Sequence, residues 1–294
     1  MDNGSVTFRQ KQAKRVDVFI SELYPQFSRS YLAKKIIEGK IKVNNTNTKV
    51  SYKLHFNDIV CFQDIEFNNQ PTNIDLPIVF ENDFCIVINK PSGLITHSKG
   101  SNNNEEASIA SFISNRLATN MSGNRAGIVH RLDRGTSGLI IAAKTTFALD
   151  YLQKQFANRK VTKSYLAIVN GHLERQQAII NMPIERNPKH PSTFRVGPNG
   201  KTAQTSYQVI TSNKDYSLLM LTPTTGRTHQ LRVHLKSIKY PIIGDKFYGG
   251  MEYQRLLLHA YKLTINLPDI GKITFTAPIP QEFKKLIKIP STIL

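Results

Sequence analysis

The chain has 294 residues, room for one sizeable domain and a small one at about 150 residues per domain. Its 39 lysines and arginines against 21 acidic residues give a formal charge of +18, beyond what solubility asks for, and point to a polyanionic partner. A hydrophobic content of 40% excludes a wholly disordered basic tail, while 2 cysteines exclude a disulfide framework or a four-ligand zinc knot and suit a reducing compartment.

No apolar run nears the roughly 18 residues of a membrane-spanning helix, and the polar N-terminus has no secretory core. The expectation is a cytoplasmic protein with no membrane partner. Residues 1–14 show no periodicity and read as a mobile arm. Val16, Phe19, Ile20 and Leu23 then recur at helical spacing, and Ser28 can cap a second helix carrying Tyr31, Leu32, Ile36 and Ile37, which Gly39 stops. Residues 40–44 alternate as a strand, Asn44 and Asn45 turn the chain, and 58–62 read as another strand. Residues 1–62 hold 11 Lys and Arg against 5 Asp and Glu. Arg29, Lys34, Lys35, Lys40 and Lys42 crowd around the second helix and its exit, which suits either a phosphate footprint or an ordinary solvated face.

The arrangement Arg15-Val-Asp17, Ser28-Arg-Ser30, Ile36-Ile-Glu-Gly39, Lys42-Val-Asn44 and Asn57-Asp-Ile-Val60 resembles the S-four-type RNA-binding module over residues 15–62. The resemblance implies that the helix with Arg29, Lys34 and Lys35 lies against RNA. Residues 63–77 are rich in Asn and Pro and read as a linker to a second domain at 78–294.

In that domain residues 77–80 and 84–88 read as strands, Pro91 to Gly93 as a turn and 99–106 as a surface loop. Residues 139–143 form a further strand, and Phe147 to Lys160 a helix with Leu149, Leu152 and Phe156 on one face. Strand alternation resumes at 164–169, 205–210 and 217–221, and 228–238 fits a basic helix. Strands outnumber helices without regular alternation, so the expected fold class is α+β, a mixed and mostly antiparallel sheet with flanking helices, beside a small α/β RNA-binding domain.

The densest chemical signal is Gly127-Ile-Val-His-Arg-Leu-Asp-Arg-Gly-Thr-Ser-Gly-Leu139, where Asp133 stands between Arg131 and Arg134. Neighbouring cations favour a charged carboxylate, which can be a structural ion-pair partner, a nucleophile or a base. Phosphate-cradling glycine loops and a G-x-S-x-G elbow are absent, and neither cysteine sits in a nucleophile motif. His229 and His234 lie 5 apart, off one helix face, which argues against a zinc pair and for RNA-contacting or core histidines.

Arg131-Leu-Asp133 with Thr136-Ser-Gly-Leu139, Lys163-Ser-Tyr-Leu-Ala167 and Gly226-Arg-Thr-His-Gln-Leu-Arg-Val-His234 together resemble the RluA-type pseudouridine synthase family. Asn89-Lys-Pro-Ser-Gly-Leu94, Pro198-Asn-Gly-Lys201, Gly244-Asp245, Tyr248-Gly249, Leu258-His-Ala260 and Phe275-Thr-Ala-Pro278 extend the likeness to about residues 76–285. Arg134-Gly135 departs mildly from the pattern, in which an acidic residue is also common after the basic one.

The resemblance implies isomerisation of uridine in RNA, with no metal and no organic cofactor. It makes Asp133 the essential carboxylate, Arg232 its ion-pair partner, and Tyr165 the tyrosine that stacks on the base and helps remove the C5 proton. Arg131 is then the side chain filling the vacated stack, while Arg227, His229, Lys90 and Lys201 are pocket or backbone contacts. The likeness and the appended module point to large-subunit ribosomal RNA as partner, acted on by a monomer. The alternatives are a tRNA-directed synthase, a non-catalytic ribosome assembly factor, and a glycoside hydrolase, which usually needs a second carboxylate.

Overall fold

Short apolar alternations and two amphipathic helices account for the first unit of the computed structural model, which describes residues 4–24, 27, 29–63, 74–97, 107–119, 121 and 125–293. The chain divides into two compact units, one of Met1–Asp75, Ile95–Ile128 and Lys144–Thr146, the other of Leu76–Leu94, Val129–Ala143 and Phe147–Leu294. Residues 95–128 thus group with the N-terminal unit, where the sequence reading put them in the second domain. Ser108 closes a capping box with Ser111 and bridges Ile95 in parallel, which ties this insertion together.

The first unit runs β1 (Ser5–Thr7), β2 (Lys14–Arg15), α1 (Val16–Leu23), α2 (Arg29–Ile37), β3 (Ile41–Val43), β4 (Lys53–Leu54), β5 (Ile59–Phe62) and α3 (Ile109–Ile113). Its main sheet has the order β1-β5-β3, and β2 pairs with β4. The expected mobile arm is corrected at residues 5–7, whose backbone pairs antiparallel with β5 from Ser5 opposite Cys61 to Thr7 opposite Ile59. A strand of 3 residues shows too little alternation to be read from sequence. Val16, Phe19 and Ile20 of α1 pack with Leu32 and Ile36 of α2 over Ile41, Val60 and Phe62. Asn44 and Asn45 both take positive φ, 51° and 60°, which asparagine tolerates in a tight turn. The expected cap at Ser28, most of the expected linker and the 99–106 loop fall outside the described residues.

The second unit contains β6 (Ile78–Glu81), β7 (Cys85–Lys90), β8 (Ser137–Ala143), α4 (Thr146–Ala157), β9 (Thr162–Asn170), β10 (Gln177–Asn181), β11 (Ile184–Arg186) and β12 (Phe194–Val196). It continues with β13 (Gln204–Ser212), β14 (Tyr216–Pro223), α5 (Gln230–Ser237), β15 (Leu258–Leu267), β16 (Gly271–Thr276) and α6 (Gln281–Leu286). A 9-stranded sheet runs β10-β13-β14-β9-β15-β8-β7-β6, with β16 branching from β15. Every pair in it is antiparallel except β8 with β15. The mixed, mostly antiparallel α+β class holds.

Leu231 and Leu235 of α5 pack in one apolar cluster with β9 and β14 residues such as Leu166 and Leu218. Ala148 and Leu152 of α4 pack in another with Val87, Ile141 and Leu263. All of β8 is buried, so it reads as a continuous apolar run rather than an alternating one. Gly138, at φ 106°, brings β8 against β15, and a Cβ there would collide with the Ala260 backbone. Cys85 is buried and Cys61 half-buried, and neither forms a disulfide. Among the described residues no helix is long and apolar enough to cross a membrane.

Candidate active site

A turn just ahead of β8, closed by the Thr136 amide donating to the Asp133 carbonyl at 3.0 Å, presents the Asp133 carboxylate. Its side chain is 20% exposed, and it lines a cavity of about 120 Å³ with Tyr165, Arg227, His229, Arg232 and, at the exposed rim, Arg131. Three separate stretches, the turn before β8, strand β9 and the start of α5, meet there.

Arg232 is only 7% exposed and is shared between two carboxylates. Its Nε and Nη2 donate to Asp245 at 2.7 and 2.8 Å in a bidentate pair, and its Nη1 lies 3.5 Å from Asp133 Oδ2. The expected partnership with Asp133 is therefore present as a longer contact, and the tight partner is Asp245, which the sequence reading had given no role. Asp245 also accepts from the Phe247 and Tyr248 amides at 3.2 Å each. Burial alone would lower the Arg232 pKa, but the Asp245 bonds and the charges of Asp245 and Asp133 outweigh it and raise the value. Phe247 and Tyr248 flank the guanidinium at 5.5 and 4.9 Å from their ring centres.

His229 stands immediately before α5 with φ 57°, a left-handed conformation that turns the chain into the helix. Its Nδ1 lies 2.8 Å from Tyr248 Oη and its Nε2 3.8 Å from Asp133 Oδ2. Tyr248 Oη also accepts from the Phe194 amide at 3.0 Å, which fixes the hydroxyl beside the His229 ring. Burial holds the His229 pKa below its ordinary value against the pull of Asp133, which favours a neutral ring. Gln230, the first residue of α5, accepts from the Arg227 amide at 3.0 Å and donates to the Gln204 carbonyl at 2.9 Å, fixing the loop that enters the helix. Arg227 itself donates from Nε to the Thr202 carbonyl at 3.0 Å.

Tyr165 on β9 sits opposite Leu221 of β14 and Ala260 of β15. Burial, and next the negative charge of Asp133, push its phenol pKa up, so the hydroxyl stays protonated at neutral pH.

Two expected contact residues stand elsewhere. Lys90 is fully buried and donates to the carbonyls of Pro91, Leu94 and Arg134 at 2.9, 2.7 and 3.3 Å. It clamps the turn after β7 to the Asp133 turn and offers nothing to RNA. Burial, partly countered by Asp133, brings its pKa down to about 7. Lys201 is exposed, pairs its backbone with Ile184, and does not line the cavity.

In the N-terminal unit Arg29 is 55% exposed and donates to Asp17 at 2.6 Å, and Lys34 is 73% exposed at 3.7 Å from Glu38. Lys35 is only 18% exposed, bonded to Glu38 at 3.1 Å and set over the Tyr31 ring at 5.1 Å, so its ammonium is engaged within the unit. Of the two histidines read as RNA-contacting or core, His229 is in the site. His234 is buried between Thr205 and the Met182 carbonyl.

Residues 84–237 match the family model described as RNA pseudouridylate synthase, and residues 14–60 match the S4 domain. The chain is 34% identical to the ribosomal large subunit pseudouridine synthase D of Borreliella burgdorferi, covering 95% of this chain and 89% of that protein. It is 32% identical to an uncharacterized RNA pseudouridine synthase, YlyB, of Bacillus subtilis, covering 98% of each. Among solved structures, human RNA Pseudouridylate Synthase Domain Containing 1 matches with a TM-score of 0.58 at 27% identity, over 69% of this chain and 83% of that one. Human RNA Pseudouridylate Synthase Domain Containing 4 matches with 0.57 at 26%, over 70% and 90%.

Proposed function

The chain belongs to the RNA pseudouridylate synthase family and isomerises uridine in RNA, and we propose that Asp133 performs the isomerisation on large-subunit ribosomal RNA. The observation that carries this reading is the meeting of Asp133, Tyr165 and Arg232 on one cavity. The reaction breaks the C1′–N1 bond, turns the uracil and joins C1′ to C5. The C5 proton is lost and N1 gains one, so the RNA keeps its composition. Asp133 either attacks C1′ or takes the C2′ proton, and both routes need a carboxylate that is desolvated yet balanced. Arg232 supplies that balance at 3.5 Å without being consumed in a tight pair with Asp133, because Asp245 holds it.

A uracil stacked in a duplex cannot reach this cavity, so the target nucleotide is extruded at a cost of a few kcal/mol. Tyr165 offers its ring to the base. Its protonated hydroxyl takes the C5 proton only by passing on its own, so its part in that step is a relay rather than that of a phenolate base. Arg131, exposed at the rim, fills the vacated stack with its guanidinium.

Arg29 and Lys34 of the N-terminal unit supply phosphate contacts, and the names of the relatives support ribosomal RNA of the large subunit as the target. The proposed enzyme is a monomer acting in the cytoplasm.

The test is site-resolved pseudouridine mapping after purified protein is incubated with large-subunit RNA and, separately, with tRNA, run beside Asp133→Asn. New pseudouridine with the native protein and none with the variant is expected. Modification of tRNA alone would overturn the substrate, full turnover by the variant would overturn Asp133, and release of free uracil would indicate hydrolysis.

A further inference from the structure

A second cavity, of about 620 Å³, lies in the same unit, between the β11–β12 hairpin and the Lys246–Gly249 loop. Tyr248 lines it, and the same tyrosine holds His229 of the catalytic cavity through its hydroxyl at 2.8 Å. Phe247, which packs against Arg232 at 5.5 Å, is 63% exposed, and half-buried Phe194 lies nearby on the same wall.

The charge of this cavity is one-sided. No carboxylate lines it, and Arg195 is neutralised by Glu185 at 2.7 Å. Lys236 and Lys246 have no carboxylate partner among the described residues. A cavity with aromatic walls and two unneutralised ammonium groups fits a base with its phosphate better than it fits an apolar peptide or a protein acid patch. Its position fits as well. Phe247 stands on the guanidinium that reaches Asp133, so an RNA strand with its target ribose at Asp133 carries its neighbouring nucleotide toward Phe247.

We propose that this cavity is a subsite for the nucleotide adjoining the target uridine, with its base against Phe247 and its phosphate between Lys236 and Lys246. The inference rests on the reading of Asp133 as the reacting group, and its test keeps the two apart.

The probe is RNA containing the mapped target uridine, prepared intact and with an abasic nucleotide on either side. Phe247→Ala should raise KM on intact RNA about ten-fold, the scale of one stacked base, and the penalty should vanish on the RNA that is abasic at the bound side. Lys236→Gln with Lys246→Gln should raise KM and flatten the slope of log affinity against log salt by about 0.7 per lysine. Turnover at saturating RNA should fall less than two-fold for the lysine pair, and the Phe247→Ala penalty is read from its dependence on the abasic side. Equal penalties on intact and both abasic RNAs, or an unchanged salt slope, would overturn the subsite, while turnover by the wild type and none by Asp133→Asn would leave the reading of Asp133 intact. Absence of pseudouridine with the wild-type protein would instead overturn that reading.

Discussion

The two units carry their cations in opposite ways. In the N-terminal unit Arg29 and Lys34 are 55% and 73% exposed beside single carboxylates, whereas Arg232 in the catalytic unit is 7% exposed between two. At 4 Å a charge pair is worth about 1 kcal/mol in water and about 4 kcal/mol at an effective dielectric of 20, so the same residue type does different work in the two places. Exposed cations give affinity that salt removes. The enclosed guanidinium spends its hydrogen bonds on Asp245 and, in the proposed function, leaves Asp133 balanced for the reaction.

Removing the carboxylate that faces the cavity tests the sharpest side of this contrast. Asp133→Asn should cut pseudouridine formation on the order of 10⁴-fold or more, the scale for loss of a reacting group, while RNA affinity measured by filter binding changes less than two-fold. A parallel drop in affinity would mean that Asp133 organises the RNA surface rather than the reaction.

Asp245→Asn addresses the other carboxylate. Leaving a buried guanidinium without its bidentate partner typically costs about 3–5 kcal/mol, so urea unfolding should move by that amount. With Asp245 neutral, Arg232 is drawn to Asp133, and turnover should fall as the 3.5 Å contact tightens into a pair. Unchanged stability would show that the Asp245 pair is offset by its own desolvation, and would weaken the case that Asp245 positions Arg232.

The strands β9, β13 and β14 and the helices α1, α4 and α5 were legible because burial of one face leaves periods of 2 and 3.6 in the chain, and the buried β7 and β8 because they form short continuous apolar runs. The 10-residue β15 was not read as a strand, although Leu263, Ile265 and Leu267 alternate along its second half. Its role depends on partners distant in sequence, and no local pattern shows which strand fills the middle of a sheet.

The same limit explains Asp245 and Lys90. Asp245 follows Arg232 by 13 residues and meets it only because the chain turns at Gly244, with φ 79°, where a Cβ would collide with the Arg255 backbone. Tyr248, within the Tyr-Gly motif, had no assigned role for the same reason. The resemblance made Lys90 a pocket or backbone contact, and only the inward carbonyls of Pro91, Leu94 and Arg134 reveal the clamp, since lysine is rarely buried.

Lys90 also gives the catalytic unit a pH signature. Its folded pKa is about 7 against an ordinary value of 10.5, so between those values the unfolded chain keeps a proton that the folded protein gives up. The cost of burying the charge is then full below about pH 7 and is relieved as pH rises through that window, so stability increases with pH there. Lys90→Met removes the titrating group, and the rise in urea midpoint between pH 7 and pH 9.5, roughly the window set by that shift, should be smaller than in the wild type. Parallel profiles would show that Lys90 is not the buried charge responsible.

The smallest effect belongs to the exposed side of the comparison. Lys34 sits 3.7 Å from Glu38 at the surface, too exposed for the pair to hold the fold, and Lys34→Gln should leave the unfolding transition where it is. As a phosphate contact it should weaken RNA binding a few-fold, reduce the salt slope of log affinity by about 1, and leave turnover at saturating RNA unchanged. Arg29 is the internal control. It is likewise exposed but bonded to Asp17, a carboxylate only 4% exposed whose pKa is raised by burial yet pulled below its ordinary value by hydrogen bonds from Arg15 and Arg29. Arg29→Gln should therefore disturb the N-terminal unit as well as RNA binding. If Lys34→Gln lowered stability as much as Arg29→Gln does, the division between cations that bind and cations that build would fail within the unit where it is most exposed to view.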